Sequence, residues 1–218
     1  MDTLSLLQKI SVYALPVLLA ITVHEAAHAF AAKRFGDPTA FVVGRMTLNP
    51  LRHIDLVGTV LLPLVCLLLG GFIFGWARPV PVNFGMLRKP RLHGALVAAA
   101  GPLSNLLMGI LWTLLLKLAI MMQNDYSLPL LLMSKAGIAI NLMLMALNLL
   151  PILPLDGGRI VESVLPRRLA WQYSRLEPYG MWVLIGLIAA GTLFQIDILG
   201  LLLTPLMNLG GALLQLLL

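Results

Sequence analysis

The sequence predicts an all-α polytopic membrane protein: about five transmembrane helices plus a re-entrant hairpin, or six helices, with small β or extended elements near the cytoplasmic side. Three observations predict it. The first is composition: 60% of the 218 residues are hydrophobic and 11% are charged, where a soluble domain carries about 25% charged residues. With a mean hydropathy of +0.95, the chain has more apolar surface than one core can bury. The second is run length, because several apolar stretches reach the roughly 20 residues that cross a bilayer. The third is charge placement: 12 of the 15 Lys and Arg residues fall in three short stretches between those runs.

The apolar runs, taken in order, begin with residues 4–35. Two more helices are expected over 94–122 and 130–150, and two close the chain over 180–194 and 198–218. The segment 56–74 is ambiguous, since Pro63 and the pair Gly70-Gly71 can bend or break a helix. Residues 36–55 alternate briefly and are rich in turn residues, which suggests a small hairpin. In 76–93, Pro79 and Pro81 stand two apart, which excludes a helix and fits an extended edge. The whole chain, 1–218, reads as one membrane-embedded domain. Cys66 is the only cysteine, so neither a disulfide nor a thiolate metal cluster can form within the chain.

The basic stretches orient the helices. Lys33, Arg34, Arg45 and Arg52 form the first group; Arg78, Arg88, Lys89 and Arg91 the second; Arg159, Arg167, Arg168 and Arg175 the third. Positive loops stay cytoplasmic, so all three are expected on that side. The loop 123–127 has no basic residue and is expected outside. Segment 56–74, with basic flanks at both ends, should enter and leave on one side as a re-entrant hairpin; a single crossing is the alternative. The net charge of +6 therefore reports orientation. No basic patch with interleaved aromatics points to nucleic acid.

The chemistry sits in His24-Glu25-Ala26-Ala27-His28, inside the first apolar run. Positions i and i+4 of a helix lie about 40° apart around the axis and about 6 Å apart along it. Both imidazoles can thus reach one zinc ion, and Glu25 beside them can take a proton from water. Ionisable groups there cost about 2.5 kcal/mol or more per charge at mid-bilayer, which a purely structural histidine pair does not justify. Catalytic zinc usually has three protein ligands. Asp156 is the candidate third, placed after the helix-breaking Pro151 and Pro154 and before Gly157-Gly158. Topology brings both motifs to the cytoplasmic side, provided that 56–74 does not cross.

HEAAH, Ala100-Gly-Pro-Leu-Ser-Asn105 (AGPLSN) and Asn148-Leu-Leu-Pro-Ile-Leu-Pro-Leu-Asp-Gly-Gly158 together resemble the site-2 protease family of intramembrane metalloproteases. The resemblance extends over most of 21–159, including the segments GRMTLNPLRHID and RPVPVN. It implies that His24, His28 and Asp156 hold one Zn2+, that Glu25 is the general base, and that Asn148 holds substrate or the developing oxyanion. A helix–helix hydrogen bond is the bland alternative for Asn148. The resemblance also implies a transmembrane protein as substrate and a prokaryotic cell (inner) membrane as location. The chain is similar to compact bacterial members; no helix of any length before the helix that carries HEAAH and no PDZ-like or nucleotide-sensing domain is expected.

Further expectations are smaller. Gly101 and Gly109 permit close helix packing, and Asn105 bonds across helices. The strand 79–82 can pair with an unwound substrate by edge addition, with a plain loop as the alternative. His53 and His93 are expected in surface or interfacial loops, and Trp76, Trp171 and Tyr173 in an aromatic belt. Two other classes of protein fit an apolar chain with metal-binding residues: a transporter or channel, and a catalytically silent scaffold. Neither needs a general base beside an open metal position.

Overall fold

The computed structural model describes residues 5–61, 78–122 and 124–217. The described chain is helical, and no strand occurs among the described residues. Helix α1 spans Leu6–Phe35, followed by a short helix α2, Thr39–Val42. Long helices α3, Pro90–Met121, and α4, Ser127–Asn148, come next. Short helices α5, Asp156–Val164, and α6, Arg167–Ser174, precede α7, Glu177–Phe194, and α8, Ile198–Gln215.

Four of these are long and apolar enough to cross a membrane: α1 from Leu7, α3, α4 and α8. The fifth expected helix, 180–194, forms within α7. Of the expected hairpin at 56–74, only the helical turn Leu56–Leu61 is described; the rest, with Cys66, lies outside the described residues, as does Trp76.

The helices are apolar outward and small or polar inward. Along α3, Leu103, Leu107, Leu111, Leu114 and Leu118 are exposed at spacings of three and four. The opposite face buries Gly101, Asn105, Gly109 and Thr113. In a bilayer, leucine gains nothing by leaving lipid for a helix interface, so small residues and hydrogen bonds hold the interior instead. Helix α3 packs most extensively on α4, and α1 lies against both. Helix α5 packs on α3, while α8 closes on α4 and α7.

The expected hairpin over 36–55 is not formed. Asp37 and Asn49 turn the chain locally instead. The Asp37 carboxylate, fully buried, accepts from the Thr39 N–H at 2.9 Å and opens α2. Its other oxygen accepts from the Asn83 N–H at 2.7 Å, tying this loop to the segment beyond Val82. The Asn49 side chain caps the turn Pro50–Arg52. Such side-chain bonds compete directly with strand pairing. Residues 78–83 form no helix, as the prolines require, and have no strand partner among the described residues.

Candidate metal centre

Helix α1 carries His24 and His28 on the face turned toward α3, and both rings are buried. Close approach requires Gly101. A Cβ there would lie 2.6 Å from His24 Nε2 and nearer still to His28 Nε2. Glycine is the one residue that lets α3 pass under the two rings.

Their protonation follows from the partners. Asn141 donates its amide to the Gly137 carbonyl at 2.8 Å, so its Oδ1 faces Asn105 as an acceptor. Asn105 therefore donates to Asn141 Oδ1, at 3.0 Å, and to the Ala20 carbonyl, at 3.3 Å. Asn105 Oδ1 is left to accept from His24 Nδ1, 2.7 Å away. His28 Nδ1 lies 2.7 Å from the Val97 carbonyl, which can only accept. Both rings thus carry a proton on Nδ1, which in a neutral imidazole leaves Nε2 as the lone pair. Ordering of this kind, through the far nitrogen, fixes the tautomer of metal-binding histidines.

The two Nε2 atoms face each other at 3.1 Å. Each lies 3.3 Å from one oxygen of Asp156, which stands in the first turn of α5 rather than in an open loop. Gly157 and Gly158 are buried and let that turn pack directly on the backbone after α4; a Cβ on Gly158 would lie 2.6 Å from the Leu153 nitrogen. Two ring nitrogens and a carboxylate converging at this distance need a proton or a cation between them. Asp156 Oδ2 is buried with no hydrogen-bond donor. Donors held about 2.0–2.1 Å from a tetrahedral ion stand about 3.3–3.4 Å apart. The residues present therefore fit a divalent metal. His24, His28 and Asp156 are the group among the described residues able to hold one.

Glu25 is half-buried. Its Oε2 accepts from the Val80 N–H at 2.8 Å. Pro79 and Pro81 carry no N–H, so Val80 offers the one backbone donor from 79 to 81. No hydrogen bond joins Asn148 to the cluster among those described. Its amide donates to the Leu144 carbonyl at 3.0 Å, one turn back in α4, which leaves one N–H for another acceptor.

Of the other histidines, His93 stacks on Phe35, with ring centroids 4.5 Å apart. His53 was expected at the surface but is 1% exposed. Its Nε2 lies 2.9 Å from the Thr47 carbonyl, and its own carbonyl accepts from the Arg78 N–H. It is a buried strut between two loops. The sequence reading missed the Val97 carbonyl, Asn141 and Asp37. It placed Asn105 across a helix interface without its histidine partner.

A bundle of apolar helices around a His–His–Asp cradle, with a glutamate next to its first histidine, is the arrangement of a membrane metallohydrolase. Comparison with known proteins narrows the class. Residues 122–191 match the model of peptidase family M50. The chain is 39% identical over 202 residues to YwhC of Bacillus subtilis (strain 168), named as a candidate zinc metalloprotease; the match covers 89% of this chain and 84% of that protein. It is 30% identical over 195 residues to Rip2 of Mycolicibacterium smegmatis, similarly named, covering 86% and 71%. Rip2 of Mycobacterium tuberculosis (strain H37Rv) is 32% identical over 180 residues. No solved structure matches. The chain belongs to peptidase family M50, the site-2 protease family, and is a zinc metalloprotease.

Proposed function

We propose that this metalloprotease cleaves peptide bonds in or near the transmembrane segments of other membrane proteins, in regulated intramembrane proteolysis. The observation that carries the reading is the convergence of His24 and His28, from within an apolar helix long enough to span, with Asp156 from α5. His24, His28 and Asp156 hold one zinc ion. Zinc so held supplies Lewis acidity toward a carbonyl and lowers the pKa of a water.

The remaining work falls to the chain. Glu25 takes the proton from the attacking water and returns it to the departing amine. Asn148 turns its free amide N–H toward the developing oxyanion. A substrate helix hides its carbonyls in internal hydrogen bonds, so it unwinds before cleavage and lies extended along 79–82. On that path a substrate carbonyl replaces Glu25 at the Val80 N–H, and the base is released as the substrate arrives. The chain, 1–218, forms one protease domain in a prokaryotic inner membrane, with its site toward the cytoplasm, the side expected for the basic loops. Its partners are the substrate and the lipid, not nucleic acid.

The test uses the full chain in proteoliposomes with candidate membrane substrates. Glu25→Gln should keep about one zinc per chain and lose cleavage by roughly 10²–10⁴-fold, the usual worth of a general base. His24→Ala should lose the metal as well. Undiminished cleavage by Glu25→Gln removes the base from the mechanism. Metal flux through the wild type without cleavage of any substrate favours a transporter instead.

A further inference from the structure

A cavity of about 600 Å³ opens beside the extended segment; among the described residues it is lined by Arg45, Arg52 and Arg78 together with apolar residues and no carboxylate. Arg45 is unusual among them, being only 8% exposed. Its Nη2 donates to the Arg78 carbonyl at 2.6 Å and reaches the Pro79 carbonyl at 3.4 Å. Its Nε is buried without a partner. The two ion pairs of Arg159, with Glu162 and Glu177, lie on α5 and α7, away from the residues that line this cavity. Burial and the neighbouring Arg78 charge both weaken the hold of Arg45 on its proton; Arg52 adds to this and Glu25 opposes it. A buried cation without a counter-ion is costly, and two further cations at the same cavity raise that cost.

The surroundings say what kind of anion relieves it. Val43 and Leu51, on the cavity wall, are 52% and 74% exposed. Val42 and Leu48 beside them are 75% and 63% exposed. These side chains belong to the loop that follows the basic end of α1, at Lys33 and Arg34. Apolar side chains standing out next to cations at the end of a spanning helix suit the boundary between headgroups and acyl chains.

We propose that this cavity binds the phosphate of an anionic phospholipid, with Arg45, Arg52 and Arg78 around the headgroup and Val43 and Leu51 against the acyl chains. The site is linked to the metal centre through the backbone. Arg45 grips the carbonyl of Arg78, and two residues further on the Val80 N–H holds Glu25. A bound lipid thus steadies the segment that faces the catalytic base.

A free phosphate compound shares the headgroup's chemistry, and the experiment separates the two sources. The full chain is purified in detergent and stripped of lipid. It is then titrated with phosphatidylglycerol, phosphatidylcholine or inorganic phosphate, with bound lipid read by native mass spectrometry and thermal unfolding alongside. Phosphatidylglycerol should bind saturably, at about one per chain, and raise the unfolding temperature. Phosphatidylcholine and inorganic phosphate should each bind at least about tenfold more weakly. Arg52→Gln with Arg78→Gln should weaken phosphatidylglycerol at least about tenfold, given the worth of each cation near an anionic lipid. Arg52→Gln alone, at an exposed position that folding tolerates, should weaken it about fivefold. Arg168→Gln removes the same charge from another basic loop and should change nothing. Equal binding of the two lipids overturns the proposal. So does an Arg168→Gln loss as large as that of Arg52→Gln, which means diffuse attraction only. Inorganic phosphate binding as tightly as the lipid assigns the cavity to a free phosphate compound and ends the lipid reading. The readout uses no proteolysis, so it stands or falls apart from the proposed cleavage.

Discussion

Two helix seams in this molecule are built on opposite principles. Between α1, α3 and α4, the contacts are small and polar: Ala20, Ala29 and Ala32 are fully buried, and the chain His24–Asn105–Asn141 runs through the middle. Between α4 and α8 the seam is Leu142, Met145 and Leu214, with no hydrogen bond between side chains of the two helices among those described. The first seam orients side chains; the second only fills space. Lipid explains the division. A leucine seam in a bilayer is held by packing alone, because the separated helices keep their apolar surroundings. It cannot orient a ring. Hydrogen bonds and close backbone approach can, and they are concentrated where the two imidazoles converge with Asp156.

The sharpest way to break that contrast is Gly101→Ala. Its added Cβ would fall onto both Nε2 atoms, so the rings must rotate or α3 must withdraw. Bound zinc should drop to background, and cleavage should fall by at least about 100-fold, as expected when reacting groups are displaced by an ångström. Metal analysis of the purified variant checks this. Near-stoichiometric metal would show that the rings have room elsewhere.

Asn105→Ala is the next largest. It removes the acceptor of His24 Nδ1 without touching a ligand atom. Loss of such a partner costs about 10–100-fold in metal affinity, measured by competition with a chelator. Asn105→Asp, which keeps an acceptor for His24, should recover part of that loss. No change in either variant would mean that the tautomer of His24 is fixed by something other than this chain.

How much of this was legible depends on how local the cause is. His24, Glu25 and His28 share one helix, so spacing alone placed both rings on one side. The turn into Asp156 was legible because Pro151, Pro154 and the following glycines act on their own backbone. Helix register is different. That Asn105 meets His24, and that Gly101 lies under both rings, depends on how α3 slides against α1, and no residue of either helix states that offset by itself. The hairpin expected at 36–55 failed for another reason: Asp37 and Asn49 offered the backbone nearer partners than a second strand could. His53 and Arg45 looked like surface residues by type. Each is buried where a carbonyl outside its own turn, of Thr47 or of Arg78, accepts its N–H.

The smallest effect tests the second seam. Leu214 is 3% exposed and rests on α3 at Gly109, where a Cβ would lie 3.3 Å from it. In a water-soluble core, Leu→Ala costs about 2–5 kcal/mol, part of it transfer from water and part the cavity left behind. Here the transfer part vanishes, since an unpacked α8 remains in lipid. Leu214→Ala should therefore cost only about 1–2 kcal/mol, the cavity share, read by unfolding in mixed micelles. Its zinc affinity should stay within about twofold of the wild type, because nothing in the α4–α8 seam touches the histidines or their partners. A loss of metal affinity as large as that of Asn105→Ala would mean that the two seams are coupled, and that packing far from the ion helps to aim its ligands after all.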